Sequence, residues 1–514
     1  MKPGLQRYLV PAWPSLLGGI VAAFVAGLQP LRGLNLWAVW QLDSAFAFEQ
    51  WLDGRGDEAM AAAFAGDPWL GAPIGWLSAM LVDGDELVLG VRFVSAILAG
   101  VTVAIAAELA RRMAGTPAAL LAAMILLVTP RFMQAATLPG PTIWLVAMAF
   151  GGLLAVTDLA RRDRAFVGAI VAVAGLAHAG IAGWLWCIPL AWILFVDVEA
   201  RPGRGRLSMR PASIFMLAAI PVGLALAVVL SPWWSADAGE RVPAMLEFWL
   251  TRGAEPWLHR SWRYGADRIP WLAPVAIVAL TWHTWSLVAA ALGCMGSLDA
   301  RGREARRAVV AALIAALVLP VVLRSPWHGG IDLLVLVAPA IAALGGAGIV
   351  MALTAISRPH ARRAALALGV FLAAVSIADL ARYRGATEAY TTGFAGGPAG
   401  RVALGFSRAP HPVVPIGWVD AVLDDADAVS VAVLTNGWEM RPILAAMSRW
   451  HLVDGEVHVV DIGAADVAVV VWDDTLPELY DVAADAMRMR DDPGATGPVH
   501  TVRGVPVIEA WRLR

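Results

Sequence analysis

The sequence predicts a polytopic α-helical membrane protein, with about eleven transmembrane helices and a small C-terminal α/β domain outside the membrane. Three observations lead there. Charge is sparse: 16% of the 514 residues are charged and 59% are hydrophobic, whereas soluble domains carry about 25% charged residues. Apolar runs long enough to span a bilayer recur as far as Leu380 and then stop, and the mean hydropathy of the whole chain is +0.66. Beyond Leu380, short β-rich runs alternate with polar turns and helical stretches.

A spanning helix needs about 20 apolar residues. The candidate spans are 12–29, 87–110, 114–129, 142–160, 165–178, 181–196, 212–230, 271–293, 308–323, 331–353 and 364–380. The first follows basic residues as a signal peptide does, but no small-residue cleavage site follows Leu28, so it reads as an uncleaved helix. As one helix at 1.5 Å per residue, 165–196 would be about 48 Å long, too long for a hydrocarbon core of roughly 30 Å. Loop charge decides the matter.

Arginine recurs at Arg7, at Arg111 and Arg112, at Arg161, Arg162 and Arg164, and at Arg201, Arg204, Arg206 and Arg210. It returns at Arg301, Arg303, Arg306 and Arg307, and at Arg358, Arg362 and Arg363. The positive-inside rule assigns these clusters to the cytoplasmic side. Neighbouring clusters must then be separated by an even number of crossings, so 165–196 crosses twice. The amino terminus is expected inside, and the C-terminal domain outside. Net charge, −2, says little, because the charges are sorted by side. Lys2 is the one lysine in the chain, the usage of a high-GC bacterial genome, so the expected location is a bacterial inner membrane. Cys187 and Cys294 lie in apolar runs and suggest neither a disulfide framework nor a zinc site.

The outer loops carry the chemistry. In 31–86, Asp43, Glu49, Asp53, Asp57, Glu58, Asp67, Asp83, Asp85 and Glu86 face only Arg32 and Arg55. Trp37, Trp40, Phe46, Phe48, Trp51 and Leu52 alternate with these acids at helical spacing, which suits short helices lying in the membrane interface. Asp43 follows the Trp pair, where a carboxylate would be held over the lipid boundary. The other acids read as solvation of a loop. The loop 231–270 has an aromatic belt of tryptophans, yet carries Arg241, Arg252, Arg260, Arg263 and Arg268 against the positive-inside bias. An anionic ligand outside, or snorkelling to lipid headgroups, accounts for such an excess. A further loop, "LRSPWHGGIDL", sets Arg324 and His328 beside Gly329 and Gly330. His178 and His283, in or beside spans, read as satisfied by helix partners.

The chain divides into a membrane domain at 1–380 with outer loops 31–86 and 231–270, a Gly- and Pro-rich, helix-poor linker at 381–405, and an extracytoplasmic α/β domain at 406–514. The domain has strand-like runs at 429–436, 457–461 and 467–474, helical stretches at 441–450 and 476–489, and a terminal hairpin about Arg503 and Gly504. It shows no phosphate loop, metal-ligand spacing or nucleophile elbow.

Several segments in order resemble the GT-C membrane glycosyltransferases, in particular the protein O-mannosyltransferase-like branch that includes aminoarabinose transferases. The Asp43-Ser44 pair occupies the place of that family's acidic pair in the first outer loop. "VRFVSAILAGVTVAIAAELARRMAG" is similar to its second span, "LLVTPRFMQAATLPGPTIWLVAMAF" to its Pro-Arg-Phe segment, and "GFAGGPAGRVALGF" to its linker. There are departures: Ser44 replaces the second acid, Gln134 and Gly140 stand where a His and an Asp are usual, and "GAPIGW" replaces a His-Pro-Pro.

The resemblance implies a membrane transferase that moves a sugar from a polyprenyl-phosphate donor to a lipid, protein or glycan acceptor at the outer face. It implies Asp43 as the general base. Charge developing on the departing phosphate needs cations, and Arg131, Arg263, Arg268, Arg324 and His328 are the donor-phosphate candidates, with Arg92 either a sixth or a snorkelling residue. A divalent metal requirement stays open, and no nucleic-acid partner is expected. The departures leave an alternative: a catalytically degenerate GT-C-fold protein that binds or scaffolds a lipid-linked saccharide. A transporter would instead predict charged residues inside the spans and related halves.

Overall fold

The computed structural model describes residues 3–28, 33–34, 39, 87–137, 141–159, 165–177, 183, 186–190, scattered helical positions between 218 and 243, 271–296, 300–322, 334–356, 360–383, 390–404, 413–424, 426–435, 437–449, 452–472, 496–503 and 505–513. Asp43, Ser44, Gly140, Arg263, Arg268, Arg324, His328 and the helical stretch 476–489 lie outside the described residues.

The helical body begins with α1 (Pro3–Leu28) packed along α2 (Leu87–Ala114). It continues through α3 (Thr116–Leu127), α4 (Pro130–Thr137), α5 (Pro141–Leu159) and α6 (Ala165–Ala177). After the sparsely described stretch come α7 (Ala273–Thr281), α8 (Thr284–Met295), α9 (Ala300–Val322), α10 (Val337–Ile356) and α11 (Ala361–Leu380). Among the described residues, three helices are long and apolar enough to cross a membrane, at 90–114, 334–355 and 363–383. The pair α3 and α4 adds a fourth if it is one bent span.

Burial runs outward as lipid demands. Phe93, Ile97 and Val101 recur every four residues along α2 and are exposed, while Val91, Val94, Ala96 and Val103 are buried. Phe371, Val375 and Ile377 on α11 and Ile20 and Phe24 on α1 are likewise exposed. Such apolar faces have no partner in water and fit a hydrocarbon surround. The helix α10 is the centre of the bundle, buried along most of its length. Small residues let its neighbours close in: a Cβ at Gly348 would stand 2.0 Å from the Ala289 carbonyl of α8.

Two expected spans turn out to be broken. The stretch 271–293 is α7 and α8 rather than one helix, because Trp282 (φ −109°, ψ 152°) and His283 (φ −59°, ψ 123°) are extended. The stretch 114–129 ends at Leu127, and the chain resumes as α4 at an angle of 72°. Proline explains the second break. Pro130 lacks an N–H and cannot continue α3, yet its fixed φ suits the first position of α4. The helix α9 starts at Ala300, ahead of the expected 308, and so takes in Arg303, Arg306 and Arg307.

Past α11 lies a mixed sheet. It contains β3 (Ala428–Val433), β4 (Glu456–Val459), β5 (Val467–Val471), β6 (Thr496–Val502) and β7 (Val505–Arg512) in the order β4-β3-β5-β7-β6. The strand β3 is parallel to β4 and β5, β7 is antiparallel to β5, and β6 pairs antiparallel with β7. The hairpin turns at Arg503, whose φ is +50°. Two helices, α13 (Ile416–Leu423) and α14 (Gly437–Arg449), join its core through Trp418, Val419, Met440, Ile443 and Leu444.

The segment 381–405, expected to be helix-poor, forms short helical turns at its described residues. It holds the short helix α12 (Gly397–Ala403), and Tyr383, Tyr390, Thr391 and Arg401 are buried in it. The sheet's hydrophobic core includes Tyr383 and Tyr390 and also reaches Val39 and Val91. A two-stranded ribbon, β1 (Gly33–Leu34) with β2 (Val414–Pro415), pairs the start of the acidic segment with the C-terminal unit.

Candidate active site at the broken end of the bundle

The two broken helix pairs meet, and each break satisfies the other. At the end of α3, the carbonyl of Val128 lies 2.9 Å from His283 Nε2. A carbonyl can only accept, so Nε2 carries the proton. The imidazole Nδ1 lies 2.7 Å from the Tyr390 hydroxyl, and a neutral ring protonated at Nε2 accepts there; Asp379 is a second partner of that hydroxyl. Three residues beyond Val128, Arg131 is 2% exposed, and its Nε donates to Thr281 Oγ1 at 3.4 Å. The Thr281 hydroxyl in turn donates to the Ile277 carbonyl at 2.7 Å. The last turn of α7 is capped from outside the bundle, by the Thr392 amide donating to the Leu280 carbonyl at 2.9 Å. Irregular backbone at membrane depth survives where protein satisfies its polar groups, and such breaks line binding cavities.

A small cavity opens beside this seam, lined by Ile277, Leu280, Thr281, Thr391, Ala395, Arg401 and Leu404. Arg401 is 2% exposed and sits on α12. The chain enters that helix through Gly396 at φ +80°, a left-handed backbone that glycine adopts without strain. Arg131 and Arg401 therefore approach the Thr281 end of α7 from two different elements. Arg92 holds the neighbouring corner, its Nε donating to the Thr137 carbonyl at the end of α4 at 2.9 Å. Arg92 is buried there.

A second chain of contacts leads away from His283. The Tyr390 and Tyr383 rings are 5.1 Å apart. The Tyr383 hydroxyl donates to the Thr391 carbonyl at 3.1 Å and accepts from Arg503 at 3.2 Å. The Arg503 guanidinium also lies 5.3 Å over the Tyr383 ring, within cation–π range. The hydrogen bond to Tyr383 raises the pKa of Arg503. Burial, and then the nearby Asp379 carboxylate, push Tyr390 well up, which keeps its phenol a donor.

Of the donor-phosphate candidates, Arg131 and the sixth possibility, Arg92, lie within the described residues. Arg131 is buried rather than displayed, so an anion would have to enter the seam to reach it. Gln134 is half-buried on α4. Tyr390, Thr281 and Arg401 were not singled out from sequence. The available signal for Arg401 was a lone cation among small and apolar residues in the Gly-Pro-rich segment. For Tyr390 and Thr281 no local signal exists, since their role arises from a meeting of distant segments. Among the described residues, no group of three or more His, Cys, Asp or Glu side chains could hold a metal ion.

Residues 67–233, about a third of the chain and including the Pro130-Arg131-Phe132 bend, match the family described as dolichyl-phosphate-mannose-protein mannosyltransferase. The resemblance seen in the sequence, to the protein O-mannosyltransferase-like branch, meets this family model over that stretch. Among solved structures, the chain is similar to ArnT from Cupriavidus metallidurans bound to undecaprenyl phosphate. The identity is 14% and the TM-score 0.46, over 96% of this chain and 97% of that one. It is also similar to the archaeal oligosaccharyltransferase AglB from Archaeoglobus fulgidus in complex with an inhibitory peptide and a dolichol-phosphate. There the identity is 12% and the TM-score 0.47, over 90% of this chain and 70% of that one. A search of curated protein sequences found no match.

Proposed function

We propose that this protein transfers a sugar from a polyprenyl-phosphate donor to an acceptor lipid, protein or glycan at the outer face of a bacterial inner membrane. The observation that carries the reading is the 72° bend at Pro130, which buries Arg131 against a second broken helix at the end of the bundle where the acidic segment starts. In the reaction, an acceptor hydroxyl or amine attacks the anomeric carbon. Its proton passes to the Asp43 carboxylate, the bond from that carbon to the phosphate oxygen breaks, and polyprenyl phosphate leaves with the electron pair. The transition state has oxocarbenium character, and negative charge grows on the departing phosphate. Arg131 would meet that charge with a guanidinium held in place before the reaction, where water is excluded and its field is strong. Arg263, Arg268, Arg324 and His328 are proposed to complete the grip, with two or three of the five, Arg131 included, touching phosphate directly.

The family description names a dolichyl-phosphate-linked donor, which agrees with a lipid-phosphate leaving group. The test is Asp43→Asn in the full-length protein reconstituted in membranes, with transfer from lipid-linked sugar as readout. Transfer should fall about 10² to 10⁴-fold, the usual contribution of a general base. Full activity would remove Asp43 from the mechanism. A wild-type protein that binds the donor but never turns it over would favour the degenerate, saccharide-binding reading.

A further inference from the structure

We infer that Tyr390 and His283 are positioning residues for Arg131, and that Arg503 makes the C-terminal hairpin a working part of the same seam; this rests on the phosphate-binding reading of Arg131. The bend between α3 and α4 has no covalent brace. Pro130 removes an N–H, so no helical hydrogen bond from that residue fixes the turn. Two contacts across the seam fix it instead: His283 holds the Val128 carbonyl before the proline, and Thr281 holds Arg131 after it. The two sit two residues apart on one strand of chain, so the tilt of the His283 ring and the place of the Arg131 guanidinium move together.

That tilt is set from outside the bundle. Tyr390 donates into Nδ1 and packs edge-on against the imidazole, with centroids 4.9 Å apart. Tyr390 leans on Tyr383, and Tyr383 is held by Arg503 at the turn between β6 and β7. Removing the Tyr390 hydroxyl frees the ring to rotate, lets the Val128 carbonyl shift, and loosens Arg131.

The experiment uses the full-length protein in nanodiscs, with undecaprenyl phosphate as the probe and native mass spectrometry as the readout. Tyr390→Phe should raise the dissociation constant about five- to tenfold, the size of one net hydrogen bond. His283→Gln keeps a donor for Val128 but has no acceptor at the Nδ1 position that faces Tyr390, and it should give the same loss. In an Arg131→Ala background neither change should weaken binding further, because the residue they position is gone. Wild-type affinity in both single variants, or losses that add in full to Arg131→Ala, would overturn the inference. So would a lowered melting temperature with unchanged affinity, which is what a merely structural role produces. If Arg131→Ala itself binds like wild type, the phosphate reading fails and takes this inference with it. A loss in Arg131→Ala without one in Tyr390→Phe sinks the positioning role alone.

Discussion

The two ends of the helical bundle use arginine in opposite ways. At the far end of α2, Glu108 accepts from Arg111 at 2.7 Å and from Arg112 at 3.0 Å, and Arg112 also reaches Thr157 on α5. Those ions settle one another within a single turn of one helix. At the broken end, Arg92 and Arg131 reach across elements, to the Thr137 carbonyl and the Thr281 hydroxyl among their partners. At one end arginine closes a local ion cluster on one helix, and at the other it ties separate elements together across the breaks.

Breaking that contrast starts with the largest effect. Beyond the loss of transfer expected from Asp43→Asn, Arg131→Ala should cut transfer by about ten- to a hundredfold, since hydrogen bonds to charged groups contribute roughly 1.5–3 kcal/mol. Steady-state kinetics with lipid-linked donor would check it, and an unchanged rate would put Arg131 back into the scaffold. Arg111→Ala should leave transfer intact. It removes an ion pair on a partly exposed helix, and about 1 kcal/mol or less of stability should go with it. If thermal melting is unaffected while transfer falls, the two ends are not different in kind.

The smallest expected effect sharpens the comparison from the C-terminal side. Burial depresses the pKa of His500 on β6 below its usual 6.5. The unfolded chain therefore takes up a proton more readily than the folded one. The stability contributed by neutral His500 is complete above pH of about 6.5 and declines as pH falls through the depressed folded value. Melting curves between about pH 7.5 and 5.5 should show a loss at low pH that His500→Gln reduces. An unchanged slope in that variant would exclude His500 as the cause.

Much of the scaffold was legible because its physics is local. Apolar run length located α1, α2, α5, α10 and α11. The β-rich runs marked where β3, β4 and β5 form, and Gly504 marked the terminal hairpin. Pro130 was visible as a residue, but the run from Ala114 to Thr129 gave no sign of how sharply the chain would turn after it. The break at Trp282 and His283 left no glycine or proline to read. Its extended backbone is held by Tyr390 and Val128, more than a hundred residues away in each direction. The same holds for the site. Arg131 stood out because it lies in the Pro-Arg-Phe segment that carries the resemblance, while Thr281 and Tyr390 are ordinary residues until the seam brings them to it. The segment 381–405 reads as a linker by composition, yet Gly400 packs closely on the Ala395 carbonyl and Gly396 makes a left-handed entry to α12.

The central claim is that the broken end of the bundle receives a lipid-borne phosphate through Arg131. Its most direct test is the affinity of undecaprenyl phosphate for the wild-type protein and for Arg131→Ala, with Arg111→Ala as the control at the other end. The account predicts saturable binding that weakens at least about tenfold in Arg131→Ala and stays unchanged in Arg111→Ala. Equal affinity in all three proteins would contradict it.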